Sequence, residues 1–307
     1  MAAASHQGAA MIAAARARLP GDRWHFQHGP IDLVIGADGD GDAVSRAVEG
    51  AWARFSELLQ ELAAELPLLR TDVSIGHEPQ GPVARRMWRA ASVHRPYFIT
   101  PMVAVAGAVA EEMIGYFRVE PGIGRAYVNN GGDIALHLTG GARFRIGVFG
   151  DIARLCLDGS SALGRHEAVI EVGAGDGIGG IATSGWRGRS HSLGIADSVT
   201  VLAGDAVTAD AAATMIANAV DIADPRIVRM PASQIDPDSD LGARLVTHDV
   251  PPLDARAIEG AIEGGLAEAR MLVARGLIEQ AYLQLQGHCR IVGANDDLNV
   301  SHPPIAA

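Results

Sequence analysis

The sequence predicts an α+β protein in which antiparallel strands and helices come in mixed order, and three observations carry this. Strand-like stretches arrive as hairpins, with WHFQHGPIDLVI around Gly29-Pro30 and YVNNGGDIALHL around Gly131-Gly132. Long apolar-periodic helices stand at opposite ends of the chain, one before Pro67 and one after Asp254. No unit repeats at a fixed spacing, so neither a solenoid nor a regular alternation of strand and helix is indicated. With 307 residues, 48% hydrophobic and 20% charged, the chain can build a sizeable core without disulfides.

Residues 1–23 are expected to form an N-terminal segment of helical character, residues 24–294 a single domain and residues 295–307 a flexible tail. From Trp24 to Ile35 two short strands meet at the Gly29-Pro30 turn. A long helix follows, with Val44, Val48, Trp52, Phe55, Leu59, Leu62 and Leu66 three or four apart, Asp42 as N-cap and Pro67 as stop. From Arg85 an extended piece runs to about Pro101 and gives way to a small-residue helix through Glu112. Arg125 to Leu138 reads as strand, tight turn, strand, and Phe144 to Val148 as another strand. Ala168 to Val172 is a strand that leads into GAGDGIGG, then IATSG and a polar loop. Val199 to Leu202 is a strand, and Thr208 to Val220 a helix capped by Thr208. Residues 224–252 read as irregular. The last helical region extends from Asp254 to about Gln286, broken at Gly264-Gly265 and Gly276, before a short strand from Cys289 to Val292.

A formal charge of −11 excludes an electrostatic hold on nucleic acid or an anionic membrane, since both need clustered basic residues. No stretch approaches the ~18–20 continuous apolar residues of a membrane span. Cys156 and Cys289 are far apart and form no CxxC, which fits a reducing compartment and inert core cysteines. A cytoplasmic protein with small-molecule or protein partners is expected, and its oligomeric state is left open.

Five constellations carry chemistry. Gly175 to Gly180 satisfies GxGxxG after a strand, but the following IATSGWRGRSHS is turn-like and opens no helix, which argues against a dinucleotide fold of the Rossmann kind. Asp38, Asp40, Asp42 and Glu49 fit positions one, three, five and twelve of a calcium loop, yet Ala43 stands where the sharp turn wants glycine. Asn129 to Asp133 is either a bend that admits a flat ligand or an ordinary tight turn. Thr183, Ser184 and Gly185, followed by Arg187, Arg189 and His191, form either an exposed polar loop or a phosphate-binding and proton-transfer loop. Asp210 and Thr214 project from one face of an apolar helix, where a carboxylate is either solvent-facing near the N-terminus or paired with a hard cation.

In this order the segments resemble the ApbE-like family, known for FAD:protein FMN transferases. YVNNGGDIAL resembles the family's V-N-x-G-G-D-I hairpin, GGIATSG its A-T-S-G turn, and SVTVLAGDAVTADAAATMIANAV its S-V-T-V strand and D-A-x-A-T helix. The similarity runs from about Pro101 to Val220. The resemblance implies antiparallel sheets related to a duplicated T-fold, with packed helices. It implies a flavin nucleotide, FAD or FMN, lined by Asn129, Asn130, Gly131, Gly132, Asp133, Thr183, Ser184 and Gly185. Magnesium would be ligated by Asp210 and Thr214, helped by a carbonyl between Ala104 and Gly107, with His191 and Glu111 as catalytic residues. It also implies FMN transfer from FAD to a hydroxyl of an acceptor protein, or hydrolysis of FAD when water accepts. One departure stands out: the family continues from its histidine into H-x-x-D-P-x-T-G, whereas His191 is followed by SLGIAD and then SVTV. That departure leaves a non-catalytic flavin- or nucleotide-binding protein as the alternative.

Overall fold

The computed structural model describes residues 13–148, 168–188, 190–293 and 300–301. Nine strands form one sheet, antiparallel at every pairing, in the order β1-β2-β3-β4-β5-β8-β9-β12-β13. They are β1 (Ala15–Leu19), β2 (Arg23–His28), β3 (Ile31–Gly39), β4 (Ile123–Asn130), β5 (Asp133–Leu138), β8 (Gly180–Ser184), β9 (Ser198–Ala203), β12 (Gln280–Leu285) and β13 (His288–Gly293). A smaller sheet holds β6 (Arg143–Val148), β7 (Ala168–Gly173) and β14 (Val300–Ser301), and a third pairs β10 (Val228–Pro231) with β11 (Leu245–Asp249). The longer helices are α1 (Gly41–Ala64), α2 (Pro82–Ser92), α3 (Val105–Arg118), α4 (Ala206–Ala219) and α5 (Ala255–Ala274).

Three clusters of the core position the site. Phe26, Leu33, Ile35, Val128 and Ala135 pack under α1 and α3, while Val199, Val201, Ala281 and Leu283 pack under α4 and α5. On the opposite face, Leu136, Ile181, Leu202 and Tyr282 meet Ile170 and Val172 of the small sheet. The two helix-side clusters join where α3 crosses α4. Beneath that crossing lies a seam, because β5 and β8 pair only at Ile134↔Ile181 and Ala135↔Gly180. Among the described residues, no helix is long and apolar enough to cross a membrane.

Several expectations are corrected. Ala15–Leu19 is a strand, not part of a helical segment: Arg16 and Arg18 alternate with small residues, and β2 satisfies the backbone. Arg18 also lies 4.2 Å from the Trp24 ring centroid, which fixes this edge. Residues 82–92 are helical because Pro82 starts the first turn and Val83, Ala84, Met87 and Ala91 face the core. The last helix stops at Ala274, where Gly276 takes a φ of 67°. Beyond it, Gln280–Leu285 is a strand buried at every position, and covering on both faces erases the alternation that marks a half-buried strand. The helix caps are Asp40 and Asp205, two and three residues ahead of the expected Asp42 and Thr208, because their carboxylates reach the free N–H groups of the first turn. IATS is a strand, not a turn, and Val300–Ser301 pairs with β7 inside the expected loose tail. Asp38 pairs with Arg125 and Asp40 caps α1, so the calcium-loop spacing serves local structure. No helix opens at Gly175–Gly180, where Gly173 and Asp176 close a turn and β8 begins. Cys156 and Arg189 lie outside the described residues; Cys289 is partly buried and accepts from the Tyr282 hydroxyl at 2.9 Å.

Candidate functional site

The site assembles at the seam from four pieces of chain. The first is the β4–β5 hairpin, whose two-residue loop places Gly131 at φ 66° and Gly132 at φ 119°, conformations that side-chain-bearing residues adopt at a cost. Asn129 Oδ1 accepts from Gly132 N at 2.9 Å and closes the turn, while Asn130 Nδ2 donates to Ala106 O at 3.1 Å. Asn129 therefore shapes the hairpin, and Asn130, only 8% exposed, ties it to the first turn of α3.

The second and third pieces are α3 and α4, which brace each other by exchanging carboxylates. Asp210 of α4 accepts from Gly107 N at 2.9 Å, and Glu111 of α3 accepts from Ala206 N at 3.2 Å. Each acid thus neutralises free N–H groups in the first turn of the partner helix, where the helix dipole favours negative charge. The crossing is so close that a Cβ on Gly107 would lie 2.2 Å from Ala206 O. Glu111 is further engaged by the Arg118 guanidinium. This gives Glu111 a bracing role at the crossing.

The fourth piece is the end of β8. Thr183 N donates to Asp133 Oδ1 at 3.3 Å across the seam, and Thr183 Oγ1 lies 2.9 Å from Thr200 Oγ1. Thr214 Oγ1 donates to Ser184 Oγ at 3.4 Å, linking β8 to the helix face that carries Asp210. Gly185 is buried with no room for a side chain, since a Cβ would lie 2.3 Å from Asp197 O.

Electrostatics single out the two aspartates. Burial pushes the Asp133 carboxyl up to about 7, opposed by the Thr183 N–H. Asp210, 9% exposed, is raised well above the usual carboxylate range, first by burial and then by the charge of Asp133. The Gly107 and Ala106 N–H groups pull it the other way. Two neighbouring carboxyls that resist ionising together form a locus that shares a proton or takes up a cation. Among the described residues no three His, Cys, Asp or Glu side chains converge on a metal position, so hydroxyl and carbonyl oxygens would have to complete any cation site.

His191 is on the loop between β8 and β9. That loop is anchored at one end where Trp186 Nε1 donates to Asp197 at 3.2 Å, and at the other by Asn218 of α4. Asn218 was not singled out from the sequence, although its spacing of four from Thr214 and eight from Asp210 puts all three on one helix face. Arg187 stacks on Trp186 with its guanidinium carbon 4.6 Å from the ring centroid. A cavity of about 230 Å³ opens at the other end of β5, lined by Arg118, His137 and the backbone of Gly177 to Gly179. It holds part of the Gly175–Gly180 stretch but none of the residues expected to bind flavin or metal, and its Arg118 is already paired with Glu111, so the carboxylate pair and not the cavity defines the candidate site.

Fold and site define an α+β protein with an oxygen-rich, glycine-walled centre on the seam of an antiparallel sheet. The chain matches the profile of the family described as "AbpE bacteria" over residues 16–291 and belongs to that family, as its hairpin, ATSG and helix motifs led us to expect. It is 32% identical to the UPF0280 protein of Methanothrix thermoacetophila over 62% of this chain and 75% of that one. It is 35% identical to a UPF0280 protein of Methanopyrus kandleri over 63% and 72% of the two chains. Among solved structures, the apo form of Pseudomonas stutzeri flavinyl transferase ApbE is similar over 93% of this chain and 96% of its own, with 14% identity and a TM-score of 0.40.

Proposed function

We propose that the seam site binds a flavin dinucleotide with magnesium and transfers FMN from FAD to a hydroxyl of an acceptor protein, or to water, releasing AMP. The juxtaposition of Asp133 and Asp210 carries this reading, and the family's motifs supply the flavin. The donor set fits magnesium: two carboxylates and the Thr214 hydroxyl are hard oxygen ligands, and a cation would offset the burial that disfavours both charges and the repulsion that Asp133 adds at Asp210. Magnesium, when bound, would neutralise charge on phosphate oxygens. The hairpin at Gly131-Gly132, bare of side chains, leaves room for a flat ring, and Thr183 and Ser184 offer hydroxyls to the phosphates.

In the reaction, an acceptor oxygen attacks the FMN-side phosphorus, a new P–O bond forms, the pyrophosphate bridge breaks, and AMP leaves with the bridging oxygen. The acceptor proton passes to His191, because Glu111 is committed to Arg118 and the α4 N-terminus. Incubation of purified protein with FAD and magnesium, with and without candidate acceptors, should release AMP and be blocked by EDTA. Absence of AMP above a no-enzyme control in every arm would refute transfer and hydrolysis alike.

One observation favours a second reading, a flavin- or nucleotide-binding protein without turnover. Beyond His191 the chain is pinned at once, with Ile195 N donating to Val220 O at 2.8 Å and Asp197 N to Gln284 O at 3.0 Å, leaving no longer loop before β9. Flavin-dependent stabilisation without AMP would select that reading.

A further inference from the structure

We propose that Asn218 is a positioning residue that fixes the His191 loop to the helix face bearing Asp210 and Thr214. The inference rests on the transfer reading for what His191 does, and on the hydrogen bonds below for how it is held.

Asn218 follows Thr214 by one helical turn and Asp210 by two, so the three side chains line one face of α4. Its Oδ1 accepts from Leu193 N at 2.9 Å and from Ser192 Oγ at 3.2 Å, and Ser192 Oγ in turn accepts from Gly194 N at 3.2 Å. The same short stretch is held from its other sides. Arg229 Nη1 donates to Leu193 O at 2.6 Å, and Thr247 N donates to Ser192 O at 2.9 Å. Ser192 is 2% exposed, and a Cβ on Gly194 would lie 2.1 Å from Ala217 O, so this backbone lies flat on the C-terminal turn of α4. His191 is the residue immediately before the pinned stretch. Its backbone is therefore referenced to α4 through Asn218.

One amide oxygen accepting two donors is the feature that matters chemically. Aspartate at this position reproduces both acceptances, whereas alanine leaves the Leu193 N–H and the buried Ser192 hydroxyl without that partner. The Leu193 carbonyl and the Ser192 carbonyl keep their own donors in either variant, so the loop is expected to loosen without global unfolding. Asn218 lies two helical turns from Asp210, and its loss should leave cation and flavin affinity in place.

The test compares wild type, Asn218→Ala, Asn218→Asp and His191→Ala, using FAD and magnesium chloride as probes. Asn218→Ala should lower the turnover number for AMP release at least tenfold, with the KM for FAD and the magnesium requirement changed less than twofold. Asn218→Asp should restore turnover to within about threefold of wild type. Hydrogen exchange is the second readout. The Leu193 amide should exchange at least tenfold faster in Asn218→Ala than in wild type or Asn218→Asp, and FAD should protect residues 190–193 in wild type but not in Asn218→Ala. If wild type releases no AMP but this protection pattern holds, transfer fails and the positioning role stands. The positioning role is overturned if Asn218→Ala matches wild type in exchange or, where wild type releases AMP, in turnover, if Asn218→Asp exchanges like Asn218→Ala, or if FAD leaves residues 190–193 unprotected in wild type.

Discussion

Asp210 combines two roles that conflict without a cation: it caps α3 through Gly107 N, and it confronts Asp133 in a buried setting. Both carboxyls have folded-state affinities for protons above those of the unfolded chain, so the native state retains protons that the unfolded chain has released. Their contribution therefore turns unfavourable as pH rises from about 4, and for Asp133 it is complete only above about 7. Asp210→Asn, whose Oδ1 can still accept from Gly107, is expected to raise the metal-free melting midpoint at pH 8, to have little effect near pH 4, and to abolish any gain from magnesium. Thermal melts in EDTA at the two pH values, with and without added magnesium, check this. His94 behaves oppositely. Burial, with the nearby Arg275 charge adding to it, holds its imidazole down to about 4, and Nδ1 has no hydrogen-bond partner. The unfolded chain then takes up the proton first, so stability is full above pH 6.5 and falls as pH drops from there toward 4, by about 3 kcal/mol. Urea titrations at pH 7 and pH 4.5 should show that slope in wild type and a flatter one in His94→Gln.

At the scale of elements, the exchange of carboxylates between α3 and α4 sets the geometry of the site, and Gly107 permits it. A methyl at that position would have to displace Ala206 O and the Asp210 Cβ, which lies 2.9 Å from where it would be built. Gly107→Ala is expected to destabilise the fold by roughly 2–3 kcal/mol, the upper part of the range for an overpacked core. It should also weaken the magnesium response, because the displaced helix carries Asp210; denaturant midpoints and a magnesium titration read the two effects separately. Much of this level was legible in the sequence. The positive-φ turn at Gly131-Gly132, the apolar face of α1 and the spacing of Asp210 and Thr214 are all local patterns. The reciprocal bracing was not, because Gly107 and Asp210 are 103 residues apart and nothing in either local sequence names the other. Glu111 shows the same limit: nothing in its local sequence names Ala206 N and Arg118, which engage its two oxygens.

At the scale of the molecule, the seam between β5 and β8 joins two helix-backed halves of the sheet through two residue pairs. Asp133 comes from one side and Ser184, Asp210 and Thr214 from the other, so a ligand held by all of them would clamp the halves together. Magnesium with FAD at a hundredfold excess over the dissociation constant is expected to stabilise the protein by about 2.7 kcal/mol. Calorimetry should show a single transition that moves upward as a unit, whereas a shift confined to part of a split transition would place the ligand within one half.

The sequence by itself determined the α+β class, the hairpin, the ATSG and helix motifs, and the list of oxygen-bearing residues, since each is written in contiguous residues with a recognisable period or turn chemistry. It could not separate a doubly covered strand at Gln280–Leu285 from helix, nor identify Asn218 as the anchor of the His191 loop. Tertiary structure alone decided which carboxylates confront one another and which are spent on helix ends. Burial and proximity, not residue type, set the proton affinity of an aspartate, and both come into being only when distant segments close on the seam.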